Sequence, residues 1–210
     1  MHLRKKPQAE AFALNHAAVI AALQPPAGGF RTLLALPLPA LNLEIGMGRG
    51  SFICRTAQNE PEQLFLGLER RVQLVAEAIE RNTPLPHNVR FIAADARHLE
   101  ELFAPQEINR IYLNFSDPWP KARHAKRRLT SPQFLACYRR LLAEGGELEM
   151  RTDNRQLYDY SLATLEADGW QLIIQNENLP PQEAATEYEL RFRKQGLPIY
   201  YLRAKCPLEE

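Results

Sequence analysis

From residue 41 onward, short apolar blocks alternate with amphipathic ones, and the alternation predicts strands separated by helices. Residues 41–45 (LNLEI) form a short apolar run followed by glycines, 65–69 (FLGLE) a second, and 89–94 (VRFIAA) a third. Residues 108–115 (INRIYLNF) give a fourth, rich in β-branched and aromatic side chains. Between them, 51–58 is helix-like, and 70–81 places Val72, Val75, Ala76 and Ile79 at helical spacing. Thr130-Ser131-Pro132 supplies a cap with proline in the first turn, opening a helix to about Leu142. Gly145-Gly146 ends that helix, 147–152 (ELEMRT) reads as a fifth strand, and 156–167 is helical again. Residues 170–175 and 199–204 read as the last two strands; no clear helix separates them, which predicts an antiparallel edge.

Helices of this length between strands make βαβ units, and hence a mostly parallel sheet covered on both faces. The expectation is an α/β fold of seven strands with an antiparallel edge strand. Residues 1–40 would form an N-terminal extension with a basic start and a helix, and 41–210 a single domain. Composition agrees: 210 residues with 45% hydrophobic side chains can fill one sizeable core, which excludes a disulfide-stapled mini-protein and a disordered tail. Cys54, Cys137 and Cys206 are dispersed, with no C-x-x-C pair and no histidine at ligand spacing, so thiols rather than disulfides or a metal site are expected. The apolar runs 17–23 and 33–41 are too short for a membrane span, and a cytoplasmic protein is expected.

Charge changes the picture only when it is mapped. The total is +1, yet residues 1–6 carry three positive charges and 121–128 five, with no acid in either. Without these two runs, 18 basic residues face 25 acidic ones, a balance of −7. A basic loop on an otherwise acidic chain points to a polyanionic partner.

In open α/β sheets ligands bind at the carboxyl ends of the strands, and here those ends are polar. The first runs into Glu44-Ile45-Gly46-Met47-Gly48-Arg49-Gly50, whose glycines permit a tight turn and a close ligand. The spacing is G-x-G-x-G, not the G-x-G-x-x-G of dinucleotide sites, which disfavours a nicotinamide dehydrogenase. The second strand ends in Glu69, placed to accept a ribose diol, and the third in Asp95-Ala96, where an acid can accept from an adenine amino group. Acids at this rim would repel a pyrophosphate, so the pattern describes a nucleoside cofactor without one. EIGMGRG followed by Glu69 and Asp95 resembles the class I S-adenosylmethionine-dependent methyltransferases, and implies their Rossmann-like fold.

The fourth strand ends in Asn114-Phe115-Ser116-Asp117-Pro118-Trp119-Pro120, where Pro118 stiffens the chain beside the Asp117 carboxylate. Then come Lys121, Ala122, Arg123, His124, Ala125, Lys126, Arg127 and Arg128, arginine-rich as phosphate forks require. The whole stretch NFSDPWPKARHAKRRLT closely resembles the signature of bacterial tRNA (guanine-N7)-methyltransferases. Thr152-Asp153-Asn154 and Thr186-Glu187-Tyr188-Glu189 match the same family. The resemblance implies that Glu44, Gly46, Gly48, Glu69, Asp95, Ala96, Asn114 and Asp117 line the methyl donor, S-adenosylmethionine. It implies that Lys121, Asp153, Thr186, Glu187, Tyr188 and Glu189 contact the target nucleoside, and that Arg123, His124, Ala125, Lys126, Arg127 and Arg128 contact tRNA.

The implied reaction is methyl transfer to N7 of a guanosine, in the variable loop of tRNA. N7 carries a lone pair and no proton, so the site needs alignment and charge control rather than a general base. Asp117 and Asp153 are the candidates for stabilising the charge that appears on the purine or for accepting from its N1–H and 2-amino groups. Asp117 is the expected catalytic residue, and the sequence does not divide the two roles between the acids. Transfer to an RNA amino group is the alternative within the enzyme class, and RNA binding by a vestigial cofactor fold the alternative outside it. A monomer and a homodimer are both compatible with the pattern.

Overall fold

The computed structural model of the chain describes residues 7–20, Phe30 and 40–207. The basic start at residues 1–6 and most of the apolar run 33–41 lie outside the described residues. The elements in chain order are α1 (Pro7–Asn15), β1 (Val19–Ile20), β2 (Leu41–Ile45), α2 (Ser51–Asn59), β3 (Leu64–Leu68), α3 (Val72–Arg81), β4 (Val89–Ile92), α4 (Leu99–Leu102) and β5 (Ile108–Asn114), followed by α5 (Pro132–Leu141), β6 (Leu142–Thr152), α6 (Arg155–Ala167), β7 (Gln171–Asn176), α7 (Glu187–Lys194) and β8 (Tyr200–Lys205). Short 3-10 turns at Ala96–His98 and Ala122–Arg127 precede α4 and α5.

The strands make one sheet in the order β1-β4-β3-β2-β5-β6-β8-β7. All neighbours are parallel except β8, which runs antiparallel to β6 and β7. The predicted antiparallel edge is therefore present, but the sheet has eight strands rather than seven. The extra one is β1, which pairs with β4 through Val19 and Ile20. Two residues are too few to leave a periodicity in the sequence.

Alternation along the strands separates two apolar clusters, one on each face of the sheet. Leu43, Leu66, Ile111 and Leu148 face Leu135, Tyr138 and Leu165 from α5 and α6. Phe65, Phe91 and Tyr112 face the opposite layer, where Phe52 and Ile53 of α2, Val75 and Ile79 of α3 and Ala13 of α1 pack. Gly67 in β3 is fixed by this second layer, since a Cβ there would collide with Met47 Sδ from the glycine turn. The turn is thereby pressed onto the sheet.

Two further expectations need correction. The loop between β7 and β8 contains α7, where no helix was expected; its buried side chain is Glu189, so no apolar stripe marks it. Likewise β6 begins at Leu142 and runs through Gly145-Gly146, with Gly145 at φ 72° and a register shift against β5 between Ile108 and Arg110. The glycines make a bulge in a strand instead of ending a helix. Among the described residues, no helix is long and apolar enough to cross a membrane.

Candidate functional site

β2 pairs with both β3 and β5, so the chain leaving β2 enters the sheet's switch point. Gly46, Gly48 and Gly50 all take left-handed φ values, 78°, 57° and 70°. Nothing lies within 4 Å of where a Cβ would stand on Gly46 or Gly48, so both backbones face open space. Leu68 C=O accepts from the Gly46 and Met47 amides at 2.8 and 3.1 Å, which ties the turn to β3. Glu69, just beyond β3, is buried; Oε2 accepts from Gly48 N at 3.2 Å and Oε1 from Arg71 N at 2.9 Å. Burial raises its pKa, and these two amides partly offset the rise.

Glu44 lies inside β2, 1% exposed. Asn114 Nδ2 donates to Glu44 Oε1 at 2.8 Å, while Oε2 is buried with no hydrogen-bond partner. Loss of water pushes the Glu44 carboxyl up to about 8, outweighing Asn114, the Arg151 charge and the Ile53 amide at the start of α2, which all favour the carboxylate. A cation brought beside Oε2 would restore the charged form. An orphaned acidic oxygen, two open glycine backbones and Glu69 fit a nucleoside that carries a cationic amino-acid group, such as S-adenosylmethionine.

The raised Glu44 value makes the free protein's stability depend on pH. The folded state holds a proton that the unfolded chain releases above about 4.5, so this stabilisation is present below pH 4.5 and is lost as pH rises through about 8. Glu44→Gln should remove that dependence. The urea midpoint of the wild type should fall more steeply from pH 5 to 8 than that of the variant, and parallel profiles would rule out a protonated Glu44.

Asp95, at the end of β4, is half-buried and caps the turn at Ala96, accepting from Arg97 N at 3.0 Å. Its two oxygens also pair with the Arg97 guanidinium at 3.1 Å, which lowers its pKa. Ala96 is half-buried beside it.

Beyond β5 the backbone is strained. Phe115 and Trp119 adopt φ values of 52° and 42°, left-handed conformations that cost a bulky residue free energy. Asp117 stands exposed between them. The Phe115 ring stacks against Tyr188 of α7 at 6.3 Å and tilts against Phe192 at 5.7 Å, so the strand end and α7 meet here. Tyr188 itself is 53% exposed and offers a free face.

The side chains of Lys121, Arg123 and Lys126 are exposed and make no ion pair or hydrogen bond among the described residues. His124 sits edge-on to Trp119 at 5.7 Å, and Ala125 lies inside the 3-10 turn. Arg127 stacks over Trp119 at 4.9 Å, and Arg128 is half-buried. The run is thus a folded turn rather than a uniform charged brush.

Asp153 emerges half-buried at the end of β6 without capping the helix that follows; Asn154 does so, accepting from Leu157 N at 2.8 Å. Thr186 caps α7 through Oγ1, accepting from Glu189 N at 2.9 Å. Glu187 is exposed and bridges Arg49 and Arg81 at 3.2 and 2.7 Å. Glu189 does not face solvent at all: its oxygens take Arg151 Nη1 at 3.1 Å and Arg193 Nη2 at 2.7 Å. The sequence reading missed Arg151, which also donates to Ala184 C=O at 2.8 Å and lies 4.9 Å from the Phe52 ring centre. Arg151 shares the charged register of ELEMRT with Glu147 and Glu149, so alternation alone does not single it out.

A family model described as "Putative methyltransferase" matches residues 39–202. The chain is 43% identical over 176 residues to a tRNA (guanine-N(7)-)-methyltransferase of Brevibacillus brevis, covering 80% of this chain and 82% of the relative. A protein of the same description from Macrococcus caseolyticus is 39% identical over 213 residues, covering 98% of this chain and all of the relative. Among solved structures, the 16S rRNA methyltransferase KamB superposes with a TM-score of 0.67 at 14% identity, covering 88% of this chain and 95% of that one. A point mutant of the 16S rRNA (adenine(1408)-N(1))-methyltransferase of Catenulisporales acidiphilia, solved with cosubstrate SAM, gives 0.58 at 15%, covering 85% and 90%.

Proposed function

Since the chain belongs to the bacterial tRNA (guanine-N(7)-)-methyltransferases, we propose that it transfers a methyl group from S-adenosylmethionine to N7 of a guanosine in the variable loop of tRNA, in the cytoplasm. The observation that carries the reading is the buried, unpartnered Glu44 Oε2 below the open Gly46–Gly48 turn, on the strand next to the one that presents Asp117.

Bound S-adenosylmethionine supplies a methyl group activated on a positive sulfur. Glu44 would face the positive charge of the donor as a carboxylate, its proton released to solvent as the donor binds. Glu69 holds the ribose hydroxyls, Asp95 with Ala96 the adenine, and the Gly46 and Gly48 backbones admit the ligand closely. Asn114 keeps Glu44 in place through its 2.8 Å bond. Asp117 turns its carboxylate to the purine, where positive charge grows as N7 is alkylated. Asp153 accepts from the guanine edge, while Tyr188 offers an exposed aromatic face for stacking. Lys121 serves O6 or a phosphate, because a cation at N7 would block the attacking lone pair. Thr186 and Glu189 shape the segment that carries Tyr188, and Glu187 pins it to Arg49 and Arg81.

Nucleoside mass spectrometry of unmodified tRNA incubated with protein and donor tests the assignment. The expected product is 7-methylguanosine, mapped to the variable loop. A methylated amino group, or no product, would overturn it.

Arg123 and Lys126, like Lys121, have exposed side chains that make no ion pair among the described residues, and these two hold RNA phosphate. Each phosphate contact contributes about −0.7 to −0.9 to the log–log salt slope. Arg123→Glu combined with Lys126→Glu should weaken tRNA binding and flatten that slope by about 1.5, with donor affinity unchanged. Filter binding across a salt series measures both; wild-type affinity and slope in the double variant would make the pair a solvated face.

A further inference from the structure

Arg128 is spent inside the protein. Its Nε donates to Pro118 C=O at 3.1 Å and its Nη2 to Trp119 C=O at 3.0 Å. Its guanidinium carbon lies 4.1 Å from the centre of the Tyr160 ring on α6. The fork therefore grips two consecutive carbonyls immediately after Asp117 while its face is held by a helix from a different part of the chain. Arg127 adds a second hold on the same turn by lying over the Trp119 ring. The gripped backbone includes Trp119, whose left-handed φ of 42° needs external support to persist. On the far side of the turn, Ser131 Oγ and Gln133 Nε2 donate to Lys126 C=O at 3.3 and 2.7 Å and fix the base of the run on α5.

We propose that the basic run divides its labour: Arg128 is a positioning residue that clasps the Asp117–Trp119 turn against α6, and RNA binding falls to the cations left free. The proposal rests on Asp117 acting beside the purine. A planar fork is what the geometry uses, since two carbonyls and one aromatic face are engaged at once; an ammonium offers charge without that shape. Charge and shape can therefore be separated by experiment.

Arg128→Lys keeps the charge and discards the fork; Arg128→Ala discards both. Tyr160→Leu removes the aromatic support without touching the basic run. The expected result is that all three slow single-turnover methyl transfer at saturating tRNA and donor by about 10-fold or more. Affinity for tRNA should stay within twofold of wild type with its salt slope unchanged, and thermal melting should show all three folded. Loss of tRNA affinity with a flattened slope in Arg128→Ala, together with a wild-type rate in Arg128→Lys, would overturn the proposal and make Arg128 a phosphate contact. A slow Arg128→Lys beside a wild-type Asp117→Asn would uphold the clasp and remove Asp117 from the chemistry.

Discussion

Asp117→Asn should slow the chemical step about 10–100-fold while leaving both ligands bound as before. The substitution preserves shape and hydrogen-bonding reach, and changes charge. Methylation of N7 puts a positive charge on the purine, and a carboxylate about 4 Å away would interact with a full unit charge by about 4 kcal/mol at an effective dielectric near 20. Only the part that differs between ground state and transition state accelerates the reaction, about 1–3 kcal/mol. Asp117 is exposed in the free protein, and tRNA covering the turn would reduce the screening of its charge during the reaction. No proton is abstracted, so the loss should not take the form of a missing basic limb near neutral pH. Rapid-quench single turnover at saturating tRNA and donor is the measurement. A rate within twofold of wild type would reduce Asp117 to a scaffold residue.

Glu69→Gln should weaken donor binding about 10–100-fold and leave tRNA affinity nearly intact. A charged acceptor for a ribose diol contributes about 1.5–3 kcal/mol, which is one to two decades in affinity. The geometry adds a second cost. Glu69 accepts one amide on each oxygen, from Gly48 and from Arg71. A glutamine has a single acceptor oxygen, so its NH2 group would face one of those N–H donors and loosen either the glycine turn or the entry to α3. Isothermal titration with S-adenosylmethionine reads the affinity, and circular dichroism checks that the fold survives. An unchanged affinity would take Glu69 out of the donor site.

The strands carrying these acids were legible because their signal is compositional: apolar runs that stop at a glycine or an acid. LNLEI, FLGLE and VRFIAA predicted β2, β3 and β4 to within two residues at either end. Helices α3 and α5 were legible because their buried faces are apolar and regularly spaced. What failed was whatever owes its place to charge or to a brief contact. The anchor of α7 is Glu189, a residue that patterning assigns to solvent, and only the structure shows two arginines waiting for it. Burying the acid makes sense only with both partners present, and Arg151 and Arg193 are 38 and 4 residues away. Arg128 was hidden for a similar reason. A run of basic residues does not reveal which member turns inward, because backbone carbonyls leave no trace in side-chain pattern.

The sheet's order divides the chain's duties along the β2–β5 seam. Residues assigned to the donor before β5, from Glu44 to Ala96, leave β2, β3 and β4, while those assigned to the nucleic acid, from Asp117 to Glu189, follow β5 and β6 or sit on α7. Side chains do cross the seam: Asn114 reaches Glu44, Glu187 reaches Arg49 and Arg81, and Arg151 lies over the Phe52 ring. Heritable change in what is methylated can therefore accumulate in the second half where it spares these contacts and the core that both halves share. An engineer seeking a new acceptor for the same methyl donor has a splice point between α4 and β5, provided Asn114, Arg151 and Glu187, which reach back across it, travel with the graft and the shared core is kept.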